Sequence, residues 1–241
     1  MKAILLAAGR GTRISRMVQE VPKSTLPING VPLIRHTVQM LADEGIEAVV
    51  CTGYKREIIV DALEGLSVKY YNNPFYDVTN SIASLWFARE EINDNMLILN
   101  ADVYFSKELL YKMLADKHQV VMAMDTSRVE VGDYFFQTIN GCIKKYGKDL
   151  PLSERSCEYV GIAKIDKSFV NEFTHQMKKL VNIQKHDLWW ENVLYSLTET
   201  KDIHVLDVDG IFWSEIDYFD DYERILDYVA EKQGPAGERD I

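Results

Sequence analysis

The chain holds little from which to build a metal or redox centre. Its three cysteines, Cys51, Cys142 and Cys157, stand at no metal-binding or redox spacing, so they read as packing residues in a reducing cytoplasm. The five histidines (His36, His118, His175, His186, His204) are scattered, which removes the usual zinc patterns. Positive charge is scarce: 27 Lys and Arg stand against 37 Asp and Glu, a net charge of −10. Nucleic acids and anionic membranes attract basic surfaces, so neither a nucleic-acid partner nor membrane insertion is expected. No apolar run approaches the length of a membrane span. The stretch after Lys2 lasts only from Ala3 to Ala8 before Arg10 and Arg13, too short to read as a secretory signal. No repeat and no low-complexity linker occurs.

What is present suits a soluble enzyme. At 241 residues, 47% hydrophobic and 27% charged, the chain can bury a full core as one large domain. The expected organisation is one domain over residues 1–233, with an antiparallel insertion over about 130–165. The last residues, 234–241 (Gly-Pro-Ala-Gly-Glu-Arg-Asp-Ile), read as a disordered tail.

The first half alternates strand and helix signals. Ala3–Leu6, Ile46–Thr52, Val68–Tyr71 and Met96–Leu99 are short apolar or β-branched runs. Between them, Leu33–Ala42, Glu57–Leu63 and Asn80–Glu91 place apolar residues at helical spacing, with Gly45 a C-terminal cap and Asn80 or Ser81 an N-terminal one. This rhythm predicts an α/β fold, a Rossmann-like, mostly parallel mixed sheet flanked by helices. The second half predicts strands at Val120–Met124, Tyr134–Ile139, Cys142–Tyr146 and Glu158–Ile165, with Asn140-Gly141 as a hairpin turn. It further predicts helices at Phe169–Leu180 and Leu188–Thr198, strands at Ile203–Val208 and Phe212–Ile216 joined by Asp209-Gly210, and a final helix at Tyr222–Lys232.

The most specific signal is at the start. Residues 3–13 read Ala-Ile-Leu-Leu-Ala-Ala-Gly-Arg-Gly-Thr-Arg, and Pro22-Lys23 follow. A buried strand ending in small residues lets a ligand touch the main chain. Two glycines then allow successive N–H groups to face one concavity, which suits an anion. The scarce cations gather here: Lys2, Arg10, Arg13, Arg16 and Lys23 all lie in the first 23 residues. Together these features point to a nucleoside triphosphate. A Gly-x-Gly alone is weak, and neither the Walker A pattern nor the third glycine of the dinucleotide fingerprint is present.

In an open α/β sheet, ligands sit beyond the carboxyl ends of the strands. Ala7–Arg13, Thr52-Gly53-Tyr54, Asn100-Ala101-Asp102 and Glu215-Ile216-Asp217 all end predicted strands and are expected to converge there. Asp102 and Asp217 are carboxylates of the kind that hold magnesium with phosphate oxygens. Either could instead cap a turn; their coincidence with the loop favours metal.

The string Leu5-Leu6-Ala7-Ala8-Gly9-Arg10-Gly11-Thr12-Arg13-Ile14-Ser15-Arg16, then Pro22-Lys23, resembles the signature of the sugar-nucleotidyltransferase superfamily. Arg16 stands where proline is usual and Val18 where threonine is common. The likeness runs along nearly the whole chain and is greatest to LicC-like cytidylyltransferases that activate phosphocholine. Its further pieces are Gly53–Glu57, Asn80–Leu85, Asn100–Asp102, Asp187–Asn192 and Glu215–Asp217. The resemblance implies the nucleotide-diphospho-sugar transferase fold. It implies transfer of CMP from CTP to a small phosphorylated acceptor with release of pyrophosphate, in a cytoplasmic monomer or homodimer. By that likeness Ala7, Ala8, Gly9, Gly11 and Thr12 meet the nucleotide, and Thr52, Gly53, Asn80 and Ser84 surround its base and ribose. Arg13 and Lys23 hold the triphosphate, Asp102 and Asp217 share Mg2+, and Lys148, in the inserted region, touches the acceptor phosphate.

The acceptor pocket is expected among the aromatics and acids of the second half. These are Tyr134, Phe135, Phe136, Tyr159, Trp189, Trp190, Glu191, Trp213 and Glu215. A quaternary ammonium is bound well by aromatic faces near a carboxylate. On a helix, Asp187 would share a side with Trp190 and Glu191, three and four residues on; on a strand, Trp213 would share a face with Glu215. Tyr159, Trp190, Glu191 and Trp213 are thus the candidate acceptor residues, although buried tryptophan is more often core. A primary amine, as in phosphoethanolamine or 2-aminoethylphosphonate, would suit the same acids. A sugar-1-phosphate nucleotidyltransferase using UTP, dTTP or GTP is the nearest alternative. Such enzymes carry a Gln-Pro-x-Gly-like segment where this chain has Asn72-Asn73-Pro74-Phe75-Tyr76-Asp77. A regulatory module that binds nucleotide without catalysis is a further alternative.

Overall fold

A computed structural model describes residues 1–11 and 21–233. The organising strand is β1 (Lys2–Ala7), in which Ala3, Ile4 and Leu5 are fully buried. It must therefore be covered on both faces. After the short strands β2 (Pro27–Ile28) and β3 (Val31–Pro32), α1 (Leu33–Asp43) covers one of them. Next come β4 (Glu47–Thr52), α2 (Arg56–Ala62), β5 (Val68–Asn72), α3 (Ser81–Phe87) and β6 (Met96–Asn100). β4 and β6 flank β1 in parallel, in the register Leu5↔Val50 and Leu5↔Leu99, and β5 adds in parallel to β4.

Alternation along these strands sorts the core. Ile4, Val49 and Ile98 pack with Ile82 and Leu85 of α3. Leu5, Val50 and Leu99 point the other way, to Ile34, Val38 and Leu41 of α1. Period-two strands that are apolar on both sides leave no solvent face. Each fully buried Leu or Ile contributes about 2 kcal/mol.

The chain continues through β7 (Val103–Phe105), α4 (Lys107–Ala115) and β8 (Val120–Asp125). Then follow β9 (Phe135–Ile139), β10 (Cys142–Gly147), β11 (Cys157–Ile165) and α5 (Val170–Asn182). It ends with α6 (Asn192–Tyr195), β12 (His204–Asp207), β13 (Trp213–Glu215) and α7 (Phe219–Gln233). The main sheet has the order β5-β4-β1-β6-β11-β8-β12-β10-β9. It is parallel through its first four strands and mixed beyond. The β9–β10 hairpin turns on Asn140 and Gly141, with φ of 52° and 72°, the left-handed pair that a tight hairpin requires. β9 also pairs with β11 at Phe136↔Cys157. The antiparallel segment therefore extends the main sheet.

Two expectations differ. Only Asn192–Tyr195 of the predicted 188–198 helix is helical. The preceding residues spend their backbone groups on α3 instead: Asn80 N–H donates to the His186 carbonyl at 2.9 Å, and Trp190 N–H to Ser81 Oγ at 2.8 Å. β12 and β13, expected as strands joined by Asp209-Gly210, enter different sheets. β12 joins the main sheet beside β8, while β13 pairs with β7 in a separate two-stranded sheet. β7 and α4 are not among the expected elements, although Ser106 caps α4 and Leu109, Leu110 and Met113 stand at helical spacing. No helix among the described residues is long and apolar enough to cross a membrane.

Candidate active site

A cavity of about 300 Å³ opens at the carboxyl ends of β1 and β6. Leu6, Ala7, Ala8, Gly9 and Gly11 line it from β1 and its loop. Gly53 sets the height of that loop. A Cβ there would lie 2.8 Å from the Ala8 carbonyl oxygen and 2.8 Å from Tyr76 Cβ. The Ala8 carbonyl in turn accepts the Tyr54 N–H at 3.0 Å. Gly11, at φ +58°, makes room for a lysine: a Cβ on it would fall 2.6 Å from Lys23 Cγ. Thr12, Arg13 and Arg16 lie outside the described residues.

Lys23 begins a single helical turn, Lys23–Thr25, closed by bonds from both the Thr25 N–H and hydroxyl to the Pro22 carbonyl at 2.8 Å. Its ammonium lies 2.5 Å from Asp217 Oδ1 and 3.6 Å from Asp102 Oδ2. Asp102 is placed by the end of β6, where Ala101 N–H donates to the Leu6 carbonyl at 3.2 Å. Asp217 is placed by β13, whose Glu215 pairs with Val103 of β7. Glu215 also lines the cavity, and the Asp133 carboxyl meets that of Asp217. Burial pulls the Lys23 pKa down, but Asp102 and Asp217 outweigh it and hold the ammonium charged. Burial, then the neighbouring Asp102 and Asp217 charges, push Glu215 far above the usual carboxylate range. Burial also raises Asp217, against the pull of Lys23.

This excess of acid over base suits a divalent ion. Asp102 and Asp217 offer hard oxygen donors around one position that already attracts a cation, as magnesium requires, with phosphate oxygens completing its shell. No cluster of three or more His, Cys, Asp or Glu in ligating geometry occurs among the described residues, so the substrate would have to supply the remaining ligands.

The other end of the cavity is aromatic and acidic, lined by Asp133, Tyr134, Lys148, Tyr159, Trp189, Glu191 and Tyr195. Lys148 Nζ lies 3.3 Å from Asp133 Oδ2 and 5.1 Å above the Trp189 ring. Glu191 is buried, its Oε1 3.4 Å from the Asn100 amide nitrogen. Burial, partly offset by hydrogen bonds, raises its pKa to about 7.

Most sequence-predicted residues within the described region therefore converge. Ala7, Ala8, Gly9, Gly11, Lys23, Asn80, Ser84, Asp102, Lys148, Tyr159, Glu191 and Asp217 all line the one cavity. Four do not. Trp190 is fully buried behind the wall, its indole N–H donating to Asn100 Oδ1 at 3.2 Å. It turns inward because its segment is docked on α3 and not coiled as a helix; Trp189 takes the cavity position. Trp213 packs in the core on the α1 side and donates to Asp125 Oδ2 at 2.8 Å; only Glu215 of that strand faces the cavity. Thr52 is fully buried, its hydroxyl 3.4 Å from the Tyr71 carbonyl, and Gly53 supports the loop from beneath. Tyr76, Thr79, Asp133 and Tyr195 line the cavity with no motif to announce them. Each stands in a loop or short helix that only the tertiary fold brings inward.

A parallel sheet whose first strand opens into a glycine loop, beside a lysine shared by two carboxylates, defines a nucleotide-handling transferase. The chain belongs to the MobA-like NTP transferase domain family, whose pattern matches residues 3–188. It is 28% identical to the choline-phosphate cytidylyltransferase of Streptococcus pneumoniae, over 96% of this chain and 100% of that one. It is 24% identical to the CTP:phosphoglutamine cytidylyltransferase of Campylobacter jejuni, over 92% and 98%. The solved structure of CTP:phosphocholine cytidylyltransferase (LicC) from Streptococcus pneumoniae superposes with a TM-score of 0.77, at 21% identity over 95% of this chain and 99% of that one. That superposition shows a common fold.

Proposed function

We propose that the protein is a cytidylyltransferase, transferring CMP from CTP to a small phosphorylated or phosphonylated amine and releasing pyrophosphate. The observation that carries this reading is the Lys23 ammonium held by Asp217 at 2.5 Å and Asp102 at 3.6 Å beside the Ala7–Gly11 loop. CTP as the nucleotide is supported by three relatives matched over nearly their full length, all cytidylyltransferases.

The chemistry follows from what must be brought together. An acceptor phosphate or phosphonate oxygen attacks the α-phosphorus of CTP in line, and the bond to pyrophosphate breaks. A phosphate monoester is a competent nucleophile near neutral pH, so no strong base is needed. The protein positions two anions and offsets their repulsion. Main-chain N–H groups of the Ala8–Gly11 loop and the Lys23 ammonium would take the triphosphate, and Arg13 would add to them. Asn80 and Ser84, with Tyr76 and Thr79, would line the base and ribose site. Magnesium, held by Asp102 and Asp217, would neutralise phosphate charge when bound. The acceptor's cation would lie toward Asp133, Tyr159, Trp189 and Glu191, with Lys148 near its phosphoryl group.

The test is pyrophosphate release with CTP, UTP, dTTP or GTP, each with magnesium or a chelator, against amine phosphates and sugar 1-phosphates. CTP with an amine phosphate should react, and the chelator should abolish turnover. Preference for UTP or dTTP with a sugar 1-phosphate would refute the reading.

A further inference from the structure

The aromatic end of the cavity is not an open box. Tyr195 stacks on Tyr146 at 4.5 Å between centroids and 19°, and on Tyr134 at 5.5 Å and 7°. Tyr134 also takes edge contacts from Phe136 and Trp189. The Trp189 face carries the Lys148 ammonium at 5.1 Å. These rings are satisfied by one another and by an internal cation. A quaternary ammonium, which has no N–H to donate, is recognised chiefly through unoccupied π-faces.

Polar capacity, by contrast, is left over. The Tyr159 hydroxyl is buried and has no hydrogen-bond partner among the described residues. Its electrostatic neighbours are the carboxyls of Glu191 and Glu215, and all three side chains line the cavity. Glu191 is buried with no cationic partner among the described residues; its carboxyl is met by neutral donors, the Asn100 amide at 3.4 Å and the Trp190 side chain. A buried phenol oxygen with no donor and a buried carboxyl with no cation are each costly unless a ligand supplies them.

From this arrangement, which rests on the cytidylyltransferase reading above, we infer that the acceptor's cation is a primary ammonium whose N–H groups bond the Tyr159 hydroxyl oxygen and the Glu191 carboxylate. A trimethylammonium acceptor would fill the same space, leave the Tyr159 hydroxyl without a partner and offer no N–H to the Glu191 carboxylate. A site built to hydrogen-bond an N–H rejects an analogue lacking it far more strongly than an apolar pocket rejects a methyl group.

The deciding measurement is kcat/KM for pyrophosphate release from CTP with phosphoethanolamine, its N-methyl and N,N-dimethyl derivatives, and phosphocholine. The value should fall along the series, by about 10,000-fold overall. Tyr159→Phe keeps the ring and removes the hydroxyl. It should lower the value for phosphoethanolamine about tenfold more than the value for phosphocholine. Comparing two acceptors on one preparation cancels any loss of folded protein. Phosphocholine used as well as phosphoethanolamine, or a Tyr159→Phe effect equal on both, would overturn the inference while leaving the cytidylyltransferase reading intact. Turnover of sugar 1-phosphates alone would overturn both.

Discussion

Ile216 donates its backbone N–H to the carbonyl of Asp102 at 3.0 Å. This bond continues the pairing of β13 with β7 and fixes the distance between two carboxylates remote in sequence. With Asp102 at the end of β6 and Asp217 one residue beyond Ile216, Lys23 reaches both. The central charge cluster is thus held by main-chain hydrogen bonds, and does not depend on long side chains finding one another.

Replacing Lys23 tests that cluster. Lys23→Met keeps most of the aliphatic stem that packs under Gly11 and removes the charge. Turnover should fall about 1,000-fold or more, since a fixed cation aimed at transferring phosphate contributes several kcal/mol to the transition state. Far-UV circular dichroism should be unchanged, because Lys23 sits in one helical turn outside the sheet. Normal pyrophosphate release in the variant would remove Lys23 from the catalytic machinery.

Gly53→Ala probes the loop from below without touching the cavity. The added methyl meets the Ala8 carbonyl and Tyr76 Cβ, both at 2.8 Å, and one of these is main chain that cannot rotate away. The loop must lift. CTP affinity measured by calorimetry should fall about tenfold or more, and stability should drop by about 1–3 kcal/mol in urea titration. Unchanged affinity would mean that the loop's height is irrelevant to nucleotide binding.

How far the sequence foretold the site depended on how locally each part is encoded. The glycine loop, Lys23 and Asp102 were legible because a strand ending in Ala-Ala-Gly or Asn-Ala-Asp carries its geometry in a few consecutive residues. Asp217 was legible as a position, but the β7–β13 pairing that brings it to Asp102 was not, since three-residue strands have no periodicity to read. Trp190 and Trp189 show the opposite case. Helical spacing put Trp190 at the pocket, yet backbone bonds from Asn80 and to Ser81 hold the segment as a chain of turns docked on α3 and exchange the two indoles. Long-range hydrogen bonds overrode local propensity there, and no pattern within the segment records them. Arg13 and Thr12, prominent in the motif, lie outside the described residues.

Glu191 couples the site to pH. Its pKa is raised to about 7, chiefly by burial, whereas in the unfolded chain it titrates near an ordinary glutamate value, about 4.3. The folded protein keeps this proton over a range in which the unfolded chain has lost it, so Glu191's own contribution to stability falls as pH rises from about 4.3 to about 7 and then levels, beside contributions of the same sign from Glu215 and Asp217. Glu191→Gln should remove that contribution, so that the decline is shallower than the parent's and the variant is more stable at pH 8 by on the order of 3 kcal/mol. Binding of a cationic acceptor runs the other way, because it favours the carboxylate. The parent's acceptor KM should therefore drop as pH rises through about 7. In Glu191→Gln the acceptor KM should be high and nearly independent of pH across the same range. Urea titrations at pH 5 and pH 8, with acceptor KM at matched pH, measure both effects. A variant no more stable than the parent at pH 8, or one that retains the parent's pH dependence of KM, would show that Glu191 is not the group that trades stability for acceptor binding.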